Sequence, residues 1–313
     1  MEIKNWTAIL GDCLIEMKNI PDGSIDCIIT DPPYGTVWWM GKWIEKYKII
    51  SECEWDTALP IKDIFNNAER VLRMNWCLIL FSQEPYTSQL ITQAKWNLPF
   101  SYRMVWKKDH FSNCLLAKKA PVSYYEDILV FFKSYDKEWL HPLRDYVFSL
   151  QDFIWLWLKD INKWLWHRRA EHFFYVKSSQ FDLCTEKTYN ELIEKYWIDK
   201  MEWFKEYSEL KEIHEWFNRR FNLWEWKKYK GNVLEYKKDY TGLHPTQKPV
   251  LLLEDLVKTY TNEWETVLDF TAWSFTTAIA CENTNRKWIC IEQDQWYFDI
   301  WINRLNNHNI VSV

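Results

Sequence analysis

Two kinds of apolar pattern follow one another along this chain. Short, continuous apolar runs of strand length indicate strands that are buried on both faces. Longer runs, with apolar residues three or four positions apart, indicate helices that cover such strands. The predicted strands are 24–30, 77–82, 102–106, 128–132, 267–269 and 287–292, and the predicted helices are 250–260, 276–283 and 297–306.

The middle of the chain departs from this alternation. Residues 185–196 and 201–221 form two charged runs with helical spacing. The second run is rich in Glu and Lys four positions apart, which is typical of a helix exposed to solvent. The sequence therefore predicts one domain built from 1–134 and 232–313, with an inserted helical segment at 135–231.

Composition excludes several classes of protein. No apolar stretch approaches the ~18 residues that a membrane-spanning helix needs, and the first residues carry Asp12, Glu16 and Lys18 where a secretory signal would be apolar. The 8 cysteines include no CxxC pair, and several lie in apolar runs. They predict reduced core thiols, not disulfides or a metal site. We therefore expect a cytoplasmic protein with no membrane segment and no metal.

The chain contains 23 Trp and only 6 Gly, and both counts are abnormal. Average usage would give roughly 22 glycines in this length. Trp197 follows a helical run, where glycine commonly ends a helix. Trp76 and Trp264 stand in predicted turns. We hypothesise that most of these tryptophans stand where the organism makes glycine, because its ribosomes decode UGA as glycine.

The alternative to this hypothesis is an aromatic-rich protein, which leaves the glycine deficit unexplained. TGG codons at Trp273, Trp296 and Trp301 would contradict the hypothesis. Three tryptophans in apolar or strand-like contexts are expected to be genuine, namely Trp55, Trp106 and Trp288.

A distinctive tetrapeptide, Asp31-Pro32-Pro33-Tyr34, follows the predicted strand 24–30. Open α/β sheets bind ligands at the carboxyl ends of their strands. There, a carboxylate and a proline carbonyl can each accept one N–H of a planar exocyclic amine, and a tyrosine ring can stack on its base. The alternative is a proline turn that closes the strand, with Tyr34 packed.

A second loop lies near the other end of the chain, where a strand ending at Asp269 leads through small residues into the helix 276–283. In such a loop, glycine lets the backbone approach a ligand closely. A further strand ends at Glu292, about twenty residues later, which suits binding of a ribose hydroxyl. The hexapeptide 244–249, His-Pro-Thr-Gln-Lys-Pro, precedes the helix 250–260.

Together these three elements resemble motifs IV, I and X of the beta group of DNA amino-methyltransferases, in that group's order along the chain. The resemblance covers roughly residues 7–134 and 232–307. It implies an α/β fold, with a mostly parallel, seven-stranded Rossmann-like sheet, helices on both faces and a helical insertion. It also implies methyl transfer from S-adenosylmethionine to N6 of a flipped-out adenine in double-stranded DNA.

The same resemblance assigns roles to individual residues. Asp31, Pro32, Pro33 and Tyr34 become the catalytic motif, and the insertion becomes the target-recognition region. Trp273 occupies the first glycine position of the cofactor loop, and Phe275 occupies the second. The residues expected to bind the cofactor are Asp12, Thr246, Lys248, Asp269, Phe270, Thr271, Trp273, Ser274, Thr276 and Glu292, and those expected to bind DNA are Lys107, Lys118 and Lys119.

Several alternatives stay open. Cytosine-N4 enzymes more often carry Ser in place of Asp31. This difference is a tendency that favours adenine as the methylated base, so cytosine N4 stays open as the alternative. A genuine Trp273 would fill the cofactor loop and leave an inactive DNA-binding protein. RNA or protein-glutamine methylation is a third alternative, although those enzymes usually carry Asn-Pro-Pro-Tyr after the cofactor loop, which is opposite to the order here. The resemblance also leaves open a homodimer and a partner restriction endonuclease.

Overall fold

The computed structural model of the protein describes residues 6–35, 56–112, 117–134, 141–178, 180–223, 228–239, 247–300 and 302–303. Contacts between residues divide the chain into two compact units. One unit comprises Met1–Ser134 and Arg220–Val313, and the other comprises Tyr135–Arg219. Residues 220–231, which the sequence places in the insertion, belong to the first unit.

The first unit is built on an eight-stranded sheet. Its strands are β1 (Trp6–Leu10), β2 (Ile25–Thr30), β3 (Leu72–Ser82), β4 (Phe100–Ser112), β5 (Ser123–Phe132), β6 (Val233–Glu235), β7 (Thr266–Asp269) and β8 (Lys287–Glu292). Their order across the sheet is β1-β8-β7-β2-β3-β5-β4-β6. The first five strands in this order are parallel to one another, β5 is antiparallel to β3 and β4, and β4 is parallel to β6.

The predicted α/β class and the mostly parallel sheet are confirmed, with one strand more than the seven predicted. Two of the eight strands, β1 and β6, are absent from the ranges located in the sequence, and the shorter is β6, which pairs three residues with the edge of β4. Such a short segment with one buried residue carries too little apolar pattern to be recognised in the sequence.

Helices cover both faces of the sheet, as predicted. Buried residues of the helices near the carboxyl end, such as Leu256 and Ile279, pack with Trp106 and Trp288 on one face. Buried residues of the earlier helices, such as Phe65, pack on the other face. The helices are α1 (Cys13–Glu16), α2 (Ile61–Val71), α3 (Tyr86–Thr92), α9 (Val250–Tyr260) and α10 (Thr276–Glu282).

The second unit is helical and has a hydrophobic core of its own. Thr185 caps the amino end of one of its helices by accepting a hydrogen bond from the Thr188 backbone N–H. No helix within the described ranges is long and apolar enough to cross a membrane. The helices of this unit are α4 (Leu143–Ile154), α5 (Leu158–Leu165), α6 (Glu171–Phe174), α7 (Glu186–Tyr196) and α8 (Tyr207–Phe217).

Tryptophans occupy backbone conformations that ordinarily belong to glycine. Among the described residues, eight that are not glycine have positive φ, and five of these are tryptophans. A side chain in this left-handed region costs roughly 1–2 kcal/mol, which glycine avoids. Three of the five end helices α4, α5 and α7, where a left-handed glycine is the common terminator. The five are Trp155, Trp166, Trp197, Trp264 and Trp273.

The remaining tryptophans of interest differ from these five. Trp106 and Trp288 are buried, and their indole N–H groups donate to the Tyr236 carbonyl and to Glu282. The prediction that Trp76 lies in a turn is wrong, because Trp76 is a buried residue inside β3. The left-handed residue there is Asn75, at a register shift between β2 and β3. Trp55 lies outside the described residues.

We expect Trp155→Gly to raise the free energy of unfolding by about 1 kcal/mol. Trp155 ends α4 with φ 53° and is 91% exposed, so the substitution removes backbone strain and little packing. Trp157, two residues later, is the matched control, because it is 76% exposed but has φ −73°. Denaturant unfolding of the full chain measures both, and equal effects of the two substitutions would contradict the glycine hypothesis.

Candidate active site

Three neighbouring parallel strands, β8, β7 and β2, end at the same edge of the sheet. This arrangement brings together the segments that follow Glu292, Asp269 and Thr30, although the last lies far from the others in sequence. Thr30 donates a hydrogen bond to the Asp269 carboxylate over 2.8 Å, so the residue that precedes the tetrapeptide contacts the second loop directly. The sheet topology therefore creates one site from both ends of the chain.

The Asp31 carboxylate is held from two sides. The Tyr34 hydroxyl donates to its Oδ1 over 2.5 Å, and the Lys248 ammonium donates to its Oδ2. An ionised carboxylate has about four lone-pair positions, so each oxygen can accept a further hydrogen bond. Asp31 can therefore still receive an N–H group from a substrate.

Lys248 lies between two buried carboxylates. Its Nζ pairs with Asp31 and lies 3.2 Å from Glu126 Oε2, and the other Glu126 oxygen lies 2.6 Å from Lys108. The four groups form an alternating row in the order Lys108, Glu126, Lys248 and Asp31. Each side chain is at most 13% exposed, so each charge needs its neighbours for compensation.

Electrostatics in this row follow from burial and pairing. Burial raises the pKa of Asp31, Lys248 opposes that rise, and Glu126 adds to it. Burial also acts to raise the pKa of Glu126, but Lys248 and Lys108 outweigh it and bring that pKa below its usual value. Burial acts to lower the pKa of Lys248, yet the two carboxylates raise it. Lys248 is therefore charged at neutral pH.

Glu126 is absent from the residues that the sequence predicts for the site. It reaches Lys248 because β5 is antiparallel, so the first residues of β5 lie at the edge where β3 ends; Ser82 pairs with Asp127 there. Two adjacent acids at the start of an otherwise apolar strand, Glu126 and Asp127, were the available signal. That signal has meaning only once the direction of β5 is known.

Asp269 anchors the second loop. Its carboxylate accepts hydrogen bonds from the hydroxyls of Thr30 and Thr277 at 2.8 and 2.6 Å and from the Thr271 backbone N–H at 3.2 Å. Burial raises the pKa of Asp269 to about 6, and these hydrogen bonds oppose the rise. Asp269 therefore shapes the loop from within, by fixing the backbone that a cofactor would contact.

Glu292 ends β8 and faces the same loop. Its carboxylate accepts the backbone N–H groups of Trp273 at 2.8 Å and Asp294 at 2.9 Å, and its carbonyl accepts the Gly11 N–H at 2.9 Å. Burial raises the pKa of Glu292 to about 7. An acid at this place can accept hydrogen bonds from ribose hydroxyls when ionised.

Two cavities adjoin these residues. The larger, of about 230 Å³, is bordered by Gly11, Pro33, Phe270 and Glu292, among others. The smaller, of about 20 Å³, is bordered by Asp31, Lys248, Ser274 and Thr276, among others. A volume of roughly 10–15 Å³ already suits a single water, so the smaller cavity holds little more than that.

Trp273 borders both cavities, as does Thr271. The Trp273 indole N–H donates to the Asp31 carbonyl over 2.6 Å, so the ring reaches from the cofactor loop to motif IV. The residue has φ 45°, and Phe275, at the second glycine position, has φ 54°. The Trp273 side chain therefore takes up space beside both cavities and contacts the backbone of Asp31.

The other predicted residues are distributed as follows. Asp12 is exposed and caps α1, accepting the Leu14 N–H at 2.7 Å, while its neighbours Gly11 and Cys13 border the larger cavity. Pro32 is buried. Thr246 lies outside the described residues, as do His244 and Pro245.

The three lysines predicted to contact DNA lie on and beside the β4–β5 pair. Lys107 is 55% exposed and pairs with Glu235 at 2.9 Å. Lys118 and Lys119 are exposed in the segment that precedes β5. Their side chains are thus accessible to a macromolecular partner.

Comparisons with known proteins identify the family of the chain. The sequence model of a DNA methylase family matches residues 25–303. The DNA adenine methyltransferase YhdJ of Escherichia coli K12 is 26% identical over 300 residues, which cover 96% of this chain and 82% of that protein. The type II methyltransferase M.Cfr9I of Citrobacter freundii is 25% identical, over 100% of this chain and 92% of that protein.

A solved structure shares the fold. The crystal structure of the M1.HpyAVI–SAM complex superposes with a TM-score of 0.53 at 18% identity, covering 96% of this chain and 98% of that one. The family match spans both strand ends that form the site, from β2 to β8. The chain therefore belongs to the DNA methylase family, and it is a site-specific DNA methyltransferase that uses S-adenosylmethionine.

Proposed function

We propose that this chain methylates N6 of an adenine that has been flipped out of double-stranded DNA. One observation carries the proposal: the Asp31 carboxylate lies at the same sheet edge as the Asp269 loop, with Thr30 bonded to Asp269. A base at Asp31 and a cofactor at the loop would then share one cleft. The adenine specificity of YhdJ, at 26% identity, supports the choice of base.

The base side of the cleft activates a weak nucleophile. The lone pair of an adenine amine is delocalised into the ring, and acceptors on its two N–H bonds draw it back onto nitrogen. Asp31 accepts one N–H and the Pro32 carbonyl accepts the other, while Tyr34 offers its ring to the base. The methyl group would pass to the nitrogen as its bond to sulfur breaks and S-adenosylhomocysteine leaves, and the Asp31 carboxylate would accept the proton that the amine loses.

The cofactor side consists of the Asp269 loop and Glu292. S-adenosylmethionine supplies an electrophilic methyl group on a sulfonium. Glu292 would bind the ribose hydroxyls, and Phe270, which borders the larger cavity, would contact the adenosine. The methionine end of the cofactor would face Thr246, Lys248, Ser274 and Thr276. Asp12 would lie near the adenine ring of the cofactor. Positioning and electrostatics then provide the rate.

Nucleoside analysis tests the choice of base. We expect purified protein, incubated with unmethylated genomic DNA and S-adenosylmethionine, to yield N6-methyldeoxyadenosine on digestion and mass spectrometry. The protein should be made with tryptophan and with glycine at position 273. N4-methyldeoxycytidine as the product would replace adenine with cytosine, and no methylated base from either form would support an inactive DNA-binding protein.

The remaining assignments are also proposals. The helical unit would read the DNA sequence, and Lys107, Lys118 and Lys119 would bind phosphates. A cytoplasmic location, a homodimer and a partner restriction endonuclease stay predictions. The sequence that is methylated would follow from modification-sensitive sequencing of DNA from a host that expresses the protein.

A further inference from the structure

Lys248 contacts the base-binding side of the proposed site. Its ammonium is bonded to the Asp31 carboxylate, lies 3.2 Å from Glu126 and stands 5.1 Å from the centre of the Phe81 ring. The Lys248 side chain is only 7% exposed. It therefore forms part of the environment of the carboxylate that must accept the substrate N–H.

Asp31 can accept that N–H only while it is ionised. In a buried position without a cation, a carboxylate takes up a proton and becomes a donor in place of an acceptor. A second carboxylate nearby, such as Glu126, strengthens this tendency. One ammonium shared by the two carboxylates offsets both effects.

We propose that Lys248 and Glu126 are positioning residues for the catalytic carboxylate: Lys248 keeps Asp31 ionised and oriented, and Glu126, fixed by Lys108, is a second carboxylate that shares the Lys248 ammonium and so limits this effect. This inference rests on the proposed function. It gives Lys248 a role in addition to cofactor binding, and it gives Glu126 a functional role that the sequence did not predict. The contacts of Tyr34 and Lys248 on separate oxygens leave each oxygen a free lone pair for the substrate amine.

Several ionisable groups face this row, and all bear on its pH dependence. Tyr34 donates to Asp31 from the same loop, and Asp269 and Glu126 add negative charge from β7 and β5. Tyr86 lies beside Tyr34, and Lys238 lies near Lys108, Glu126 and Lys248. All of these groups act on the pKa of Asp31. The test therefore depends mainly on whether a substitution in the row moves the pH profile of the reaction to higher or to lower pH.

The test is the pH dependence of single-turnover methyl transfer, with DNA and S-adenosylmethionine saturating. It is run in whichever form, with Trp273 or with Trp273→Gly, shows methylation. The acid limb of this profile is the range in which the rate falls as the pH is lowered. We expect Lys248→Met to move the acid limb to higher pH by roughly one to three units, because Asp31 loses its cation. We expect Glu126→Gln to move the limb to lower pH, because Asp31 loses a neighbouring negative charge.

Opposite movements distinguish this role from general damage to the fold. Burial raises the pKa of Asp269 to about 6 and that of Glu292 to about 7, so both also titrate in this range, but the ion pair that Lys248→Met removes from the catalytic motif is the one with Asp31. Lys248→Arg should restore much of the original profile, because it restores the charge. Lys230→Met is the control, since Lys230 is a similarly buried lysine paired with Asp255 and should leave the limb unmoved.

Three outcomes would decide against the proposal. An acid limb that stays in place in both Lys248→Met and Glu126→Gln, with the rate lowered equally at every pH, would overturn it. A weaker cofactor Kd in Lys248→Met with an unmoved limb would assign Lys248 to cofactor binding alone. Loss of methylation in every form of the parent protein would instead refute the proposed function, on which this inference depends.

Discussion

Trp273→Gly should bind S-adenosylmethionine roughly ten- to a hundredfold more tightly than the chain with tryptophan. Trp273 borders both cavities and its indole bonds to the Asp31 carbonyl, so the ring takes up space next to the residues proposed to bind the cofactor. Crowding by a misplaced large side chain typically costs 1–3 kcal/mol, and each 1.4 kcal/mol is tenfold in affinity. Isothermal titration calorimetry with the cofactor measures the change directly.

Two further variants separate the possible causes of that gain. Trp264 has φ 68° and is 63% exposed in a turn before β7, so Trp264→Gly relieves similar backbone strain without changing either cavity. It should leave the cofactor Kd unchanged. Trp273→Ala removes the ring but keeps a side chain at positive φ, and it should recover part of the gain. Equal affinity of the Trp273 and Trp273→Gly proteins would show that the indole is no obstacle.

Helix α9 shows what the sequence could predict. Its predicted bounds, 250–260, agree with Val250–Tyr260, because an apolar helical pattern coincides with Pro249 at the start. The carboxyl ends of β2, β7 and β8 were predictable in the same way, since buried strands give continuous apolar runs. The placement of Asp31, Asp269 and Glu292 at one edge then followed from the parallel fold.

Helix α8 shows where local pattern fails. The charged run 201–221 predicts one long helix, but the helix spans only Tyr207–Phe217. Glu206 and Asn218 have extended backbones, and no side chain caps the helix. A Glu and Lys pattern favours helix without marking its ends, so packing in the core of that unit, where Met201 and Leu210 are buried, decides them.

The row from Lys108 to Asp31 could not be predicted at all from the sequence. Its members lie on β4, on β5, before α9 and after β2, so their contact depends on strand order and on the reversed direction of β5. Tertiary pairing of this kind leaves no periodic signal. By contrast, the left-handed conformation at Trp197 was foreseeable, because a helix that stops abruptly needs a residue that tolerates positive φ.

Asp31→Asn should lower the rate of methyl transfer by about two to four orders of magnitude while leaving the cofactor Kd nearly unchanged. The amide keeps the shape of the carboxylate but loses its charge, its ability to take the amine proton and half of its accepting capacity. Lys248 remains paired with Glu126 at 3.2 Å, so the buried ammonium keeps a counter-charge and the fold should survive. Single-turnover methylation and calorimetry measure the two quantities separately.

Asp26 provides the matched control, because it lies on the same strand, β2, near its other end. Its side chain is 3% exposed, against 13% for Asp31, and it pairs with Arg73 at 2.8 Å and accepts the Thr266 backbone N–H at 2.7 Å. Asp26→Asn should therefore reduce stability but leave the methylation rate of the folded protein intact. If Asp31→Asn instead kept the parent rate, the amine would need no charged acceptor, and the carboxylate at the end of β2 would have only the structural role of pairing with Lys248.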